Sequence, residues 1–263
     1  VVKNNVSGGN VTIYISEKIA LLNKTTLESL NEQRKFEIAK KFTEAGLKII
    51  GADFGWAWWI GSGGTEYHFA YKSRNIPYDP NPPRKRGGNY IAQKTGKPFF
   101  VSDTGKEKYS KKYDIRPHMK SYVIIPIVFQ KHSYGNMVLC FKKKKHFSQE
   151  DMSLCATLGN AAAQTLTINR LYSSLRDIKY TLDNTHDAVL IFDPISWRVS
   201  YFNKSLSRQL ELSRKQLERI QILNIIHRSF HKIFQERVEH IIKDKVSSSV
   251  FEIAIAVSGK RKT

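Results

Sequence analysis

The chain has 263 residues and a formal net charge of +20, with 41% hydrophobic and 11% aromatic residues. That length and composition suit two globular domains, each with its own core, and exclude a disordered chain. No apolar run approaches the roughly 18 residues of a membrane-spanning helix.

The charge is uneven. Sixteen Lys/Arg against three acids fall between positions 84 and 145. Such clustering marks either solvated loops or a surface for nucleic acid or anionic membrane, and a nucleic-acid-binding or transcription-regulating module stays open on this ground. Cys140 and Cys155 lie in apolar patterns without CxxC spacing, as expected of buried reduced thiols in a cytoplasmic protein. Sequons at Asn5, Asn10 and Asn23 carry no weight without a secretion signal. Val1 follows no initiator Met, and an apolar alternation runs up to Gly259, so both ends read as cuts within a longer chain.

Residues 1–26 form an N-terminal segment, a candidate remnant of an upstream domain, in which Val11, Ile13 and Ile15 alternate like a strand before Lys18–Leu22 turns helical. From Thr26 to Ile50 apolar residues recur at three- and four-residue steps, predicting one helix that Gly51 ends. Trp56–Ile60 and Tyr67–Tyr71 then predict a hairpin across Gly61–Gly64, with Trp56 and Trp58 on one face and Tyr67, Phe69 and Tyr71 on one face. Four prolines between Arg74 and Gly88 exclude regular structure there. Asn89–Lys94 predicts a short helix closed by Gly96, Pro98–Val101 a brief strand, and Asp103–Tyr113 part helix and part loop. Ser121–Phe129 and Asn136–Phe141 are the strongest strand pair, with a turn at Gln130–Gly135.

Ser148–Asn184 predicts one long helix, with Ser148 as N-cap and acids in the first turn. Leu154, Leu158, Ala161, Thr165 and Ile168 follow steps of four, three, four, three. Ile168, Leu171, Leu175, Ile178 and Leu182 follow three, four, three, four, the seam of a coiled coil, with one short step at Ile168. Beyond it, Asp187–Asp193 and Arg198–Asn203 read as strands. Asn203 and Ser213 cap short helices, Ile233–Ile242 is an amphipathic helix, and Val250–Val257 is a strand.

From Glu28 to Tyr172 the sequence resembles a GAF domain, the small-ligand sensory fold. The resemblance is carried by the helix ending at Gly51-Ala52-Asp53, by Gly88 to Asp103 with its Thr95-Gly96-Lys97-Pro98, by Ser121–Pro126 followed by Gly135–Leu139, and by Phe147-Ser148-Gln149-Glu150-Asp151. From Asp177 to Thr263 it resembles a PAS domain, through Asp187–Asp193, Val199–Ser205 and Leu210–Leu217, with the later strands of that fold missing. Together these imply an α+β protein of two sensory domains, GAF-like over 27–172 and PAS-like and truncated over 185–263. Each has an antiparallel sheet with flanking helices, and a long helix over 148–184 connects them.

No catalytic constellation and no metal-ligand spacing is present. His186-Asp187-Ala-Val is not a phosphoacceptor pattern, Gly61–Gly64 lacks the Lys-Ser/Thr of a phosphate loop, and His68, His118, His132 and His146 are scattered. The aromatic residues Trp56, Trp58, Tyr67, Phe69 and Tyr71, with Tyr90 and Tyr122, are the candidate ligand-binding residues, against the plainer possibility that they fill the core. No cofactor is assigned. The resemblances imply a sensory input fragment of a signalling protein, foremost a sensor histidine kinase with its kinase domain downstream. The input of a cyclic-dinucleotide cyclase or phosphodiesterase is the alternative output. A homodimer through Leu171, Leu175, Ile178 and Leu182 is the expected partner arrangement.

Overall fold

The structure, a computed structural model, describes residues 7–30, 32, 34–61, 66–74, 76, 80–84, 86–106, 118–243, 248, 250, 252, 254–257 and 260–262. The expectation over Asp103–Tyr113 falls largely outside them. The chain divides into two units, Val1–Tyr172 and Ser173–Thr263.

The first unit opens with α1 (Ser7–Leu30) and α2 (Lys35–Ile50). The strand expected at Val11–Ile15 is helix instead. Three alternating residues are too short a signal against the stripe that follows, in which Leu22, Thr25 and Ser29 are buried at steps of three and four. The single helix expected from Thr26 to Ile50 is broken between Leu30 and Lys35. There the Glu32 carboxylate accepts from the Arg34 backbone N–H at 3.0 Å, while the side-chain amide of Asn169 donates to the carbonyls of Ser29 (3.1 Å) and Glu32 (2.8 Å). The Asn169 bonds satisfy carbonyls left open after α1, and the Glu32 bond satisfies a backbone N–H at the start of α2.

A five-stranded antiparallel sheet follows, in the order β2-β1-β5-β4-β3, from β1 (Phe54–Ile60), β2 (Tyr67–Lys72), β3 (Phe99–Val101), β4 (Ser121–Phe129) and β5 (His132–Phe141). Between β2 and β3 lies α3 (Gly88–Thr95), and after β5 comes α4 (Gln149–Asp183). The turn expected over Gln130–Gly135 is only two residues long. Gln130 takes the left-handed conformation, Phe129 pairs with His132, and the strand resumes at once. One face of the sheet, with Ala57, Trp59, Ile125 and Leu139, packs on Phe42 and Ile49 of α2 and on Leu154, Leu158 and Leu166 of α4. The opposite face faces α3. A sheet covered on both sides explains why β1 reads as an unbroken apolar run.

The capping Ser148 accepts from the Asp151 N–H at 3.1 Å and the Asp151 carboxylate accepts back from the Ser148 N–H, fixing the start of α4. At about 1.5 Å per residue the 35-residue helix is about 53 Å long. No helix among the described residues is long and apolar enough to cross a membrane.

His132 sits where β5 begins, edge-on to Tyr134 at 4.5 Å, with Arg170 Nη1 3.2 Å from its Nε2. Partial burial, then the charges of Arg170 and Lys35, lower its pKa from the ordinary 6.5. A lowered folded pKa means that the unfolded chain takes up the proton first as pH falls. Stability is therefore full above about 6.5, declines as pH drops from there toward the folded value, and levels off below it. The urea midpoint of the first unit is expected to fall between pH 7.5 and 5.5, and the fall to be smaller in His132→Gln; equal slopes in both proteins would sink the assignment.

The second unit contains β6 (Leu190–Phe192) and β7 (Val199–Phe202) as a hairpin, α5 (Lys204–Leu210), α6 (Arg214–Leu217), 3-10 turns at Ile222–Asn224 and Arg228–Phe230, and α7 (His231–Lys243). It ends in β8 (Ile255–Val257) and β9 (Lys260–Lys262), a separate two-stranded sheet. Of the strand expected over Val250–Val257, Ile255–Val257 is strand, while Val250 is 97% exposed and outside it; positions 251 and 253 lie outside the described residues. Leu206, Leu210, Leu217, Ile222, Ile226 and Phe234 make the core. Trp197 and Phe202, with Phe230, pack at its edge, while Tyr201 donates its hydroxyl to Asp183 at 3.2 Å.

Candidate functional site

Strand pairing puts Phe54, Trp56 and Trp58 of β1 beside Cys140, Val138 and Asn136 of β5. These in turn lie beside Tyr122, Ile124 and Pro126 of β4. Cross-strand partners share a face, so all nine lie on the side that faces α3. Ala92 of α3 is fully buried against this surface. Asn89 and Gln93 stand three before and one after it, on the same side of the helix. Gly96, left-handed, stops α3 one residue beyond Thr95, and Pro98 then leads into β3.

The surface is apolar with one kind of exception. Asn136 is 0% exposed, and neither its Oδ1 nor its Nδ2 has a hydrogen-bond partner. Gln93 Oε1 accepts the Tyr67 hydroxyl at 2.5 Å, but its buried Nε2 has no acceptor, and the buried Oδ1 of Asn89 has no donor. A buried polar group left unbonded costs about 1–3 kcal/mol. Three carboxamides therefore leave four unmet groups among the six buried unmet side-chain atoms of the described residues. None of the buried polar residues among the described ones carries a charge; they are Ser, Thr and Asn.

Burial raises the Tyr67 hydroxyl pKa, partly offset by the Gln93 bond, so Tyr67 stays a donor at neutral pH. Burial also pushes the Cys140 thiol well above its ordinary range and the Cys155 thiol up to about 12, which leaves both inert as nucleophiles.

The expected aromatic residues separate. Trp56, Trp58 and Tyr122 are buried on the α3 side, Tyr67 reaches Gln93 there, and Phe69 meets Trp58 edge-on at 5.2 Å while 42% exposed. Tyr71 does not share their face. A register shift opposite Ala57 and Trp58 turns it to the helical side, where its hydroxyl donates to Glu44 of α2 at 2.9 Å. Tyr90, 46% exposed, stands on the outer side of α3. Asn136, Gln93 and Asn89 went unnoticed in the sequence. Their signals were an amide inside an otherwise apolar strand, and an Asn/Gln pair four apart around Ala92.

In α4, Leu154, Leu158, Thr165 and Leu166 are buried, and Ala161 packs at the edge of the core. Leu171, Leu175 and Ile178 are 59%, 62% and 57% exposed, and Leu182 is half-buried. Of the lysine run after β5, Lys144 pairs with Asp103 at 2.6 Å, and Lys145 pairs with Asp151 at 3.4 Å and lies over the Phe141 ring at 5.3 Å. Part of the basic cluster thus serves the fold.

The first unit is an α+β domain of GAF-like fold. Its sheet and helices resemble those of free methionine-R-sulfoxide reductase from Neisseria meningitidis, solved in complex with its substrate, at 12% identity and a TM-score of 0.51, over 65% of this chain and 98% of that one. The GAF domain of a phosphoenolpyruvate-protein phosphotransferase from Coxiella burnetii is similar at 18% identity (TM-score 0.48; 60% and 96% covered). So are residues 122 to 287 of a methyl-accepting chemotaxis protein at 15% (TM-score 0.48; 57% and 99% covered). No curated protein matches the sequence. Residues 37–167 match the family model described as GAF domain, and this stretch of the chain is a GAF domain.

Proposed function

We propose that the chain is the sensory input region of a cytoplasmic signal-transduction protein. Its GAF domain takes up a small molecule on the α3 side of the sheet, and α4 relays the event to a PAS-like second unit within a homodimer. A sensor histidine kinase is the favoured output. The order of the second unit, a hairpin, short helices, an amphipathic helix and terminal strands, fits the PAS reading, with Asn203 opening the first short helix.

One observation carries the proposal: α4 is built against the back of the strands that form the candidate site. A Cβ on Gly159 would lie 2.6 Å from the Pro126 carbonyl oxygen and 2.9 Å from Ile125 Cγ2. Pro126 is the cross-strand partner of Asn136. Helix and strand touch backbone to backbone, so a shift of β4 and β5 around a bound molecule is passed to α4 without a side chain to absorb it. Farther along, the same helix presents Leu171, Leu175 and Ile178 to solvent, a stripe suited to a second copy of itself.

Sedimentation equilibrium tests the assembly. The wild-type chain is expected to be dimeric at tens of micromolar, and Leu175→Ala/Leu182→Ala to weaken the dimer by at least about tenfold, or 1.4 kcal/mol. A wild-type monomer, or a double variant that associates equally well, would overturn the relay.

A further inference from the structure

We infer that the end of the GAF sheet at which β4 begins and β5 ends is a docking surface for double-stranded nucleic acid, held through its phosphates without regard to base sequence. This surface is separate from the α3 side of the sheet and from the exposed stripe of α4.

Backbone hydrogen bonds gather five segments at this end. The Asp53 N–H donates to the Cys140 carbonyl (2.9 Å), the Ser73 N–H to that of Gly55 (2.9 Å), the Lys120 N–H to that of Phe141 (2.8 Å) and the Thr104 N–H to that of Lys120 (2.9 Å). The lysine run after β5 then crosses the end of the sheet. The Lys142 N–H donates to the Asp53 carboxylate beside β1 at 2.8 Å, and the Lys145 N–H to the Ser121 hydroxyl of β4 at 2.7 Å. Positions 51–53, 72–74, 102–106, 118–120 and 142–146 therefore share one end, and they carry eight Lys/Arg against Asp53 and Asp103. The connections at the other end, 61–66 and 130–131, carry Glu66 and Lys131 and balance. The positive charge is concentrated at one end.

Two of these lysines serve the fold, Lys144 against Asp103 and Lys145 against Asp151. Lys72, Arg74, Lys106, Lys120, Lys142 and Lys143 are exposed. Like charges on adjoining strand ends repel one another, and a polyanion relieves that repulsion while releasing its own counterions. Five strands about 4.8 Å apart span about 19 Å, a length along which a duplex carries about 11 phosphate charges.

The make-up of the surface narrows the partner. Lysine is a hydrated point charge that meets phosphate without the bidentate fork of arginine, and Arg74 is the one guanidinium among the eight. None of the exposed large hydrophobic residues among the described ones lies in these segments. Unpaired bases would therefore find no exposed Phe, Tyr or Trp to stack on, and a lipid bilayer would find no apolar anchor to add to the charge. The phosphates of a duplex require neither.

Fluorescence anisotropy of the full chain with a labelled duplex of about 20 bp, between about 50 and 200 mM salt, tests this. Saturable binding is expected with a dissociation constant of about 1–100 μM at physiological salt, equal for two unrelated sequences. Lys120→Gln/Lys142→Gln/Lys143→Gln is expected to weaken binding at least tenfold and to flatten the slope of log affinity against log salt by about 3. The control Lys204→Gln/Lys215→Gln/Lys232→Gln removes the same charge from exposed positions of the second unit, and is expected to change that slope by less than about 1.

If the first triple variant fails to fold, acetylation of the wild-type chain decides. Bound duplex is expected to shield Lys120, Lys142 and Lys143 more than Lys204, Lys215 and Lys232. Absence of salt-dependent binding, equal changes of slope in the two triple variants, or equal shielding of the two sets of lysines each overturns the inference. The last two would mean that the net charge of the chain acts as a whole. Binding to vesicles of phosphatidylserine and phosphatidylcholine without binding to the duplex overturns it as well, and puts a membrane surface in the place of nucleic acid.

Discussion

Asn203→Ala is expected to cost the second unit about 3–4 kcal/mol, large for a single polar side chain. Asn203 is 0% exposed and every polar atom of its amide is used. Its Oδ1 accepts from the Val189 N–H (3.0 Å) and, as the cap of α5, from the Leu206 N–H (3.0 Å). Its Nδ2 donates to the carbonyls of Leu182 (2.9 Å) and Asp187 (2.8 Å) and to Thr185 Oγ1 (3.2 Å). Loss of a cap alone costs about 1 kcal/mol, and each buried partner left unmet adds about 1–3 kcal/mol where the chain cannot relax to water. Leu182 and Thr185 flank the C-terminal end of α4, so this one side chain ties the end of the helix to the β6–β7 hairpin and to α5 within the second unit. Amide exchange at Val189 and Leu206 gives a local readout. Both are expected to lose protection in Asn203→Ala, whereas retained protection at both would show that the tie is not what holds them. Asn203→Asp keeps the two acceptor bonds but sets a carboxylate oxygen against the carbonyls of Leu182 and Asp187, so it is expected to rescue little.

Elements whose signals lie within their own residues were legible in the sequence. The long helix was expected over Ser148–Asn184 and runs over Gln149–Asp183, because its cap, acids and uninterrupted apolar steps are all local. The short helix between Gly88 and Gly96 was legible for the same reason. The break after Leu30 was not. It depends on Asn169, some 140 positions downstream, supplying the donors that the end of α1 lacks. The face taken by Tyr71 was lost likewise, because the bulge that turns it is a property of the pairing between β1 and β2 rather than of either strand. For the site, aromatic residues drew attention and amides did not. Yet the aromatic side chains would be buried in any core, while unmet carboxamides would not, and it is the amides that make this face chemically specific.

Gly135→Ala is expected to disrupt the GAF domain by about 3–5 kcal/mol, seen as loss of tryptophan burial and a urea midpoint lowered by more than about 1 M. Gly135 has φ +147, a conformation that L side chains rarely adopt. A Cβ there would run into the carbonyl oxygen of Trp58 and approach the Trp59 Cα to 3.1 Å, backbone atoms of a central strand that cannot give way. The position is strained because the strand must do two things at once. A register shift places Gly135 opposite Ile127 but Ser133 opposite Val128, so Tyr134 is the extra residue. Without the shift, Tyr134 and Asn136 would share the α3 face. With it, Tyr134 turns to the helical side, meets Trp59 at 5.7 Å and shares a 2.8 Å hydroxyl hydrogen bond with Thr167 of α4, while Asn136 stays with Trp58. Adjacent to one glycine, then, the strand sends one side chain to α4 and the next to the α3 side of the sheet. An alanine that folds with unchanged stability would show that the strand reaches both by another path.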